Sequence, residues 1–109
     1  MHGVKGDKLI KKVLNSKKKI RTTGLTVGFL NDNSGEEKLL VVVSKKIFKK
    51  ANKRNKIRRR IKAIFIKHHL MIFKNHNVMA VQVFSKDLLF MTHIELEKKL
   101  LDIFYKILP

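Results

Sequence analysis

Lys50, Arg54, Arg58 and Lys62 recur every four residues, and Asn55, Arg59 and Lys62 fall beside them at steps of four and three. On a helix such spacings share one face, with successive members of the four-residue row about 6 Å apart along the axis. Cations at that interval can meet several phosphates of a folded polyanion, each pairing releasing condensed counterions. Asn55 differs in kind. Its neutral amide donates and accepts at once, as a base edge, a 2′-hydroxyl or a metal-bound water requires. Lys45, Lys46, Lys53 and Lys56 extend the cluster: eleven of the eighteen residues 45–62 are Lys or Arg, and none is acidic.

Other chemistry is not evident. His68 and His69 are neighbours, so on a helix they point about 100° apart and do not readily face one metal. His2, His76 and His93 stand apart in sequence, the eight acids are scattered, and no nucleophile has an evident base. The absence of cysteine removes disulfides and zinc-thiolate sites and fits a reducing compartment. The methionines read as core filler or the start codon. We therefore expect no catalytic and no metal-ligating residue in the polypeptide.

The elements that must carry the cations follow from periodicity. Ile57, Ile61, Ile64, Phe65 and His68 form a dry helical stripe, with Lys50, Arg54, Arg58 and Lys62 on its flank. Asp7 can cap a first helix whose apolar face is Leu9, Ile10, Val13 and Leu14. Lys17, Lys18, Lys19 and Arg21 then either continue the cationic surface or form a solvated loop. Residues 25–30 (LTVGFL) alternate as a strand, with Leu25, Val27 and Phe29 toward the core and Thr26, Gly28 and Leu30 away from it. Residues 31–37 are turn chemistry. Residues 39–43 (LLVVV) suit a strand buried on both faces, and the two strands are expected to pair as an antiparallel hairpin. Residues 78–84 predict a third strand, parallel to 39–43 across the basic helix. Thr92 and Glu95 have capping-box spacing ahead of a last helix with the stripe Leu96, Leu100, Ile103, Phe104 and Ile107. The order is αββαβα, an α+β sandwich of two layers, with residues 1–109 as one domain.

Composition narrows the partner. The net charge is +18, and no acid lies between Lys38 and Lys86, so local pairing cannot cancel the positive field. Nucleic acid is the leading partner. No apolar run approaches the ~20 residues that span a bilayer, and the N-terminus lacks a secretory signal's apolar centre, so a cytoplasmic protein without a membrane partner is expected.

With the elements laid out, the central stretch resembles the signature of the bacterial ribonuclease P protein subunit. The matching residues are Ser44, Lys45 and Lys46, then Lys50 and Ala51, then Arg54, Asn55 and Lys56, with Ile57, Arg58, Arg59, Ile61, Lys62 and Phe65 completing the run. Element order, length and charge agree over essentially the whole chain. The departures are Lys56 and Lys62 where Arg is usual, Ile10 and Leu14 where the family commonly has phenylalanines, and Asn77 where an Asp is common. Lysine keeps the charge but loses the planar fork that grips phosphate bidentately.

The resemblance implies the ribosomal-protein-like variant of this sandwich with a left-handed βαβ crossover, against the usual hand. It also implies a non-catalytic partner of a ribozyme. The RNA subunit, with bound magnesium, hydrolyses the phosphodiester that joins the 5′ leader to precursor tRNA. By the same resemblance Lys45, Lys46, Lys50, Lys53, Arg54, Asn55, Lys56, Arg58, Arg59 and Lys62 face ribonuclease P RNA, and no DNA partner is expected. Ile10, Leu14, Thr26 and Gly28 line a cleft for the leader. Aliphatic Ile10 and Leu14 offer no π face, which predicts weak discrimination between leaders. The alternatives are a ribosomal or other architectural RNA-binding protein, which leaves the motif unexplained, and a self-sufficient nuclease, which lacks carboxylates or an acid–base pair.

Overall fold

The computed structural model describes residues 19–22, 24–31, 36–73 and 77–107. The helix expected from Asp7 onward, with Ile10 and Leu14, lies outside them. Four strands, β1 (Lys19–Thr22), β2 (Leu25–Leu30), β3 (Lys38–Val43) and β4 (Val78–Val83), form one sheet in the order β1-β2-β4-β3. Two long helices, α1 (Ala51–Lys67) and α4 (His93–Ile107), and two single turns, α2 (His69–Ile72) and α3 (Asp87–Phe90), complete the described elements.

The predicted β2–β3 hairpin does not form. β4 lies between those strands, antiparallel to β2 and parallel to β3. Of the strands, VMAVQV is the most completely buried, with Val78, Met79, Ala80 and Val81 all inaccessible. A strand apolar on both faces gains most from a central position, and α1 supplies the long crossover that a parallel neighbour requires. Lys19 and Arg21 of the basic run do not form a solvated loop but belong to the edge strand β1, while Lys17 and Lys18 lie outside the described residues; the described sheet thus has four strands rather than three. Lysine and arginine on an edge strand also discourage pairing with other chains.

Two local devices fix the register. Thr22 pairs with Leu25, leaving a two-residue connection in which Gly24 has φ +83°, a conformation that hairpin turns demand and a Cβ opposes. A Cβ on Gly24 would also lie 2.8 Å from that of Ser85. At the other end of the sheet, the buried Asn77 donates from Nδ2 to the Glu36 carbonyl at 3.0 Å, and its own carbonyl accepts from the Lys38 amide at 2.7 Å. Asn77 therefore joins the segment before β3 to the start of β4 as a neutral donor, which an ionised Asp could not be.

The core lies between one face of the sheet and the helices. Leu25, Val27, Met79, Val81 and Val83 meet Ile57, Ile61, Ile64 and Phe65 of α1 and Leu96, Leu100, Ile103, Phe104 and Ile107 of α4. Phe65 and Phe104 pack edge to face, centroids 4.9 Å apart at 77°. The capping box is present at the start of α4: the Glu95 amide donates to Thr92 Oγ1 at 3.2 Å, and the Thr92 amide to Glu95 Oε1 at 3.1 Å. Thr92→Ala is expected to cost about 1 kcal/mol, seen as a lower urea midpoint. The Thr92 amide, and then its hydroxyl, hold the Glu95 carboxyl below its ordinary value. A depressed carboxyl stabilises the fold above the unfolded value of about 4.3 and loses that effect as pH falls through the lower folded value. Any deficit of Glu95→Gln relative to the native protein should thus be present at neutral pH and vanish in acid.

A candidate nucleic-acid interface

The interface begins before the helix. Ser44 accepts the amides of Ile47 (3.2 Å) and Phe48 (2.9 Å) on its carbonyl and that of Lys46 (3.2 Å) on its hydroxyl, so the chain turns sharply as it leaves β3. Phe48, 4% exposed, anchors the turn in the core. Lys45, Lys46, Lys49 and Lys50 are consequently held outward in solvent. Of the expected helical row, Lys50 therefore falls outside the helix: residues 45–50 form a pinned loop, and Lys50 is the extended residue that precedes α1.

On α1 the buried stripe divides the polar residues. Asn55, Arg59 and Lys62 occupy the exposed face, Lys53 and Lys56 one flank, and the half-buried Arg54 and Arg58 the other. The first turn contains no acid, and no side chain caps it. Lys49, Lys50, Lys53 and Arg54 instead crowd the positive end of the helix dipole, where cations are unfavourable by about 0.3–1 kcal/mol each. A phosphate there would satisfy both the dipole and the side chains.

The cations have different roles. Arg54 Nη1 donates to the carbonyls of Phe48 (2.7 Å) and Lys49 (3.1 Å), clamping the loop onto the helix. Arg58 Nη1 donates to Asn55 Oδ1 at 3.1 Å, so Asn55 orients the guanidinium and keeps its own Nδ2 for an external acceptor. Arg60, in the same run, turns away: its guanidinium donates to the carbonyls of Leu88, Leu89 and Met91, tying α1 to the end of α3. Sequence spacing sets Arg60 apart from the Asn55, Arg59 and Lys62 face but cannot name its partners, because the receiving carbonyls lie about thirty residues further on.

Thr26 and Gly28 lie on the opposite sheet face from Leu25 and Val27, and both are buried. Cross-strand pairing brings Arg21 beside Thr26, Gln82 on its other side, and Lys19 beside Gly28. A depression lined by Lys19, Arg21, Thr26, Gln82 and Phe84 opens there. The sequence reading offered Lys19 and Arg21 only as a continued cationic surface or a solvated loop, and it did not single out Gln82 or Phe84. The alternation Val78, Ala80, Gln82, Phe84 would have placed the ring on this face, and at 47% exposure it supplies the π surface that Ile10 and Leu14 lack.

The histidines at the far end of α1 serve packing. His68 follows the helix, stacks near Phe104 (6.0 Å) and approaches Glu97, while His69 contacts Glu37. The Lys67 ammonium, 3.0 Å from Glu97, holds that carboxyl below its usual range. Among the described residues no three His, Asp or Glu gather around a cation-sized space.

The family model for Ribonuclease P matches residues 2–108. The ribonuclease P protein component of Ureaplasma urealyticum is 33% identical over 89 residues, covering 82% of this chain and 75% of that protein. The RNase P protein of Staphylococcus aureus superposes with a TM-score of 0.78 at 22% identity, over 98% of this chain and 94% of its own. That of Thermotoga maritima gives 0.74 at 24% identity, over 94% and 93%.

Proposed function

The chain belongs to the ribonuclease P protein family, and from that premise we propose that it serves as the RNA-binding protein subunit of a tRNA-processing ribonucleoprotein. It acts as one domain in the cytoplasm, gripping the catalytic RNA and the 5′ leader of precursor tRNA while the RNA subunit cleaves. The observation that carries this reading is the unshielded start of α1: Lys49, Lys50 and Lys53 have no ion pair among the described residues, Arg54 spends its charge only on carbonyls, and no acid relieves them. A fold that places like charges against a helix dipole gains most from a polyanion.

In this proposal the protein positions and the RNA reacts. Lys45, Lys46, Lys50, Lys53, Lys56, Arg58, Arg59 and Lys62 neutralise phosphates of the catalytic RNA, and Asn55 adds a directional amide. Arg54 chiefly holds the loop that presents Lys45 to Lys50. The depression at Thr26, with Gly28 beside Lys19 on the same sheet face, receives the leader, a base stacking on Phe84 and its phosphates meeting Lys19 and Arg21. The magnesium ions that such hydrolysis would use would be held by the RNA; His69 with Glu37 offers one carboxylate and one imidazole, fewer oxygens than a hard cation requires. No step is assigned to a protein-bound metal.

Mixing the chain with the ribozyme RNA of the same cell and precursor tRNA at low magnesium tests the proposal. Stimulated leader release, absent with protein alone, supports it. Co-purification with ribosomes and no stimulation would favour an architectural RNA-binding protein instead. Asn55→Ala is expected to weaken binding of that RNA by about tenfold, the equivalent of one directional hydrogen bond, with an unchanged melting temperature. An equal loss of stability would make Asn55 structural.

A further inference from the structure

A second concavity lies on the helix side of the sheet, between the 44–50 loop and α3. It holds about 260 Å³ and is lined by Ile47, Leu89 and Phe90 together with Lys49, Lys53 and Lys86. That volume is just below the ~300–1,000 Å³ of pockets for drug-sized ligands, a size for one flat ring system rather than a peptide or an oligonucleotide. Phe90 is 78% exposed. Exposure alone would carry little, since Leu70 and Ile94 are as exposed without lining this or another described cavity. Phe90 differs because its ring, a half-buried aliphatic floor and a rim of ammonium groups converge. Among the described residues no acid lines the groove; Asp87, the nearest of them in sequence, lies outside it. None of Lys49, Lys53 and Lys86 has a side-chain partner among the described residues, so all three remain available to a ligand.

We propose that this groove takes one unpaired nucleotide of an RNA strand, with its base against the Phe90 ring and its flanking phosphates on Lys49, Lys53 and Lys86. The inference rests on the RNA-binding reading above and extends it to a base pocket separate from the Thr26 depression. The chemistry favours this occupant. Every base has a π face and so stacks on an aromatic ring whatever its identity, and its phosphates stand close enough to reach a rim of lysines. An acidic peptide could match the charge but would leave the ring without a planar partner. Lys49 and Lys53 also flank the start of α1, so a strand lying along the cationic helix reaches the groove without a gap. The mouth would thus capture a base that is flipped out where the RNA leaves the helix surface.

The chain contains no tryptophan, so Phe90→Trp installs its one tryptophan at the groove, excited selectively over Tyr105 at the red edge of the absorption band. The probe is a single-stranded decauridine RNA, titrated into the full-length chain. Tryptophan emission should be quenched on binding, and Phe90→Leu, which keeps the apolar bulk but loses the π face, should bind about 5- to 100-fold more weakly with an unchanged melting temperature. The steep salt dependence from the lysines should survive in Phe90→Leu. Unquenched emission together with native affinity in Phe90→Leu would overturn the pocket while leaving the RNA-binding reading intact, because that reading is carried by the salt slope. A native protein whose RNA affinity ignores salt would remove both. Groove-dependent quenching by poly-glutamate but not by RNA would also overturn the proposal.

Discussion

Arg58→Glu, Arg59→Glu and Lys62→Glu together are expected to weaken binding of the ribozyme RNA about a thousandfold, taking about tenfold for each lost contact. The slope of log K against log salt should flatten by about 2–3, since each phosphate contact contributes about 0.7–0.9. Stability should hardly change. Arg59 and Lys62 are exposed, Arg58 is half-buried, and the hydrogen bond lost is the exposed one from Arg58 to Asn55. Reducing the net charge of a chain at +18 also relieves self-repulsion. Arg54 is left out deliberately, because its replacement would release the 44–50 loop and mix a structural loss with an electrostatic one. Native affinity and an unchanged salt slope in the triple variant would place the RNA surface elsewhere.

Arg60→Leu is expected to do the opposite. The substitution leaves the carbonyls of Leu88, Leu89 and Met91 without their charged donor in a half-buried setting. Hydrogen bonds from a charged group are worth about 1.5–3 kcal/mol each, and partial rehydration of the carbonyls limits the loss to about 2–4 kcal/mol in total. For a chain of this size the melting temperature should fall by about 10–15 °C. Measured well below that temperature, RNA affinity should stay within a few-fold of the native value. Two adjacent arginines, Arg59 and Arg60, would then separate cleanly, one through affinity and the other through stability. A native melting temperature in Arg60→Leu would show that the α3 carbonyls are satisfied by water.

The family assignment gives these contrasts their use. In a chain whose cations are read only as a charge total, any of them would be exchangeable. The structure divides them into outward-facing groups, a loop clamp at Arg54 and an interior tie at Arg60, and that division sets which substitutions report on RNA and which on folding.

Much of this was legible in the residues. The stripe of Ile57, Ile61, Ile64 and Phe65, the stripe of Leu96 to Ile107 and the Thr92–Glu95 box depend on neighbours three to eight positions away, so helical geometry converts spacing directly into burial. Strand 25–30 was readable from its period of two and 39–43 from its β-branched run, although 39–43 ends the described sheet with Val41 and Val42 half-buried rather than lying buried on both faces; the signature around Arg54 and Asn55 needed no tertiary information. What only the tertiary structure decided was partnership at a distance. β4 displaced the expected hairpin because a strand apolar on both faces is worth most at the centre of the sheet, and a short basic run became β1 because an edge strand needs one good neighbour, not an apolar sequence. Arg60 was drawn inward, and Phe90 left outside above three lysines, by the packing of α3 against the start of α1. Local period is a property of the chain itself, but which carbonyl meets which guanidinium depends on segments about thirty residues apart being folded onto one another.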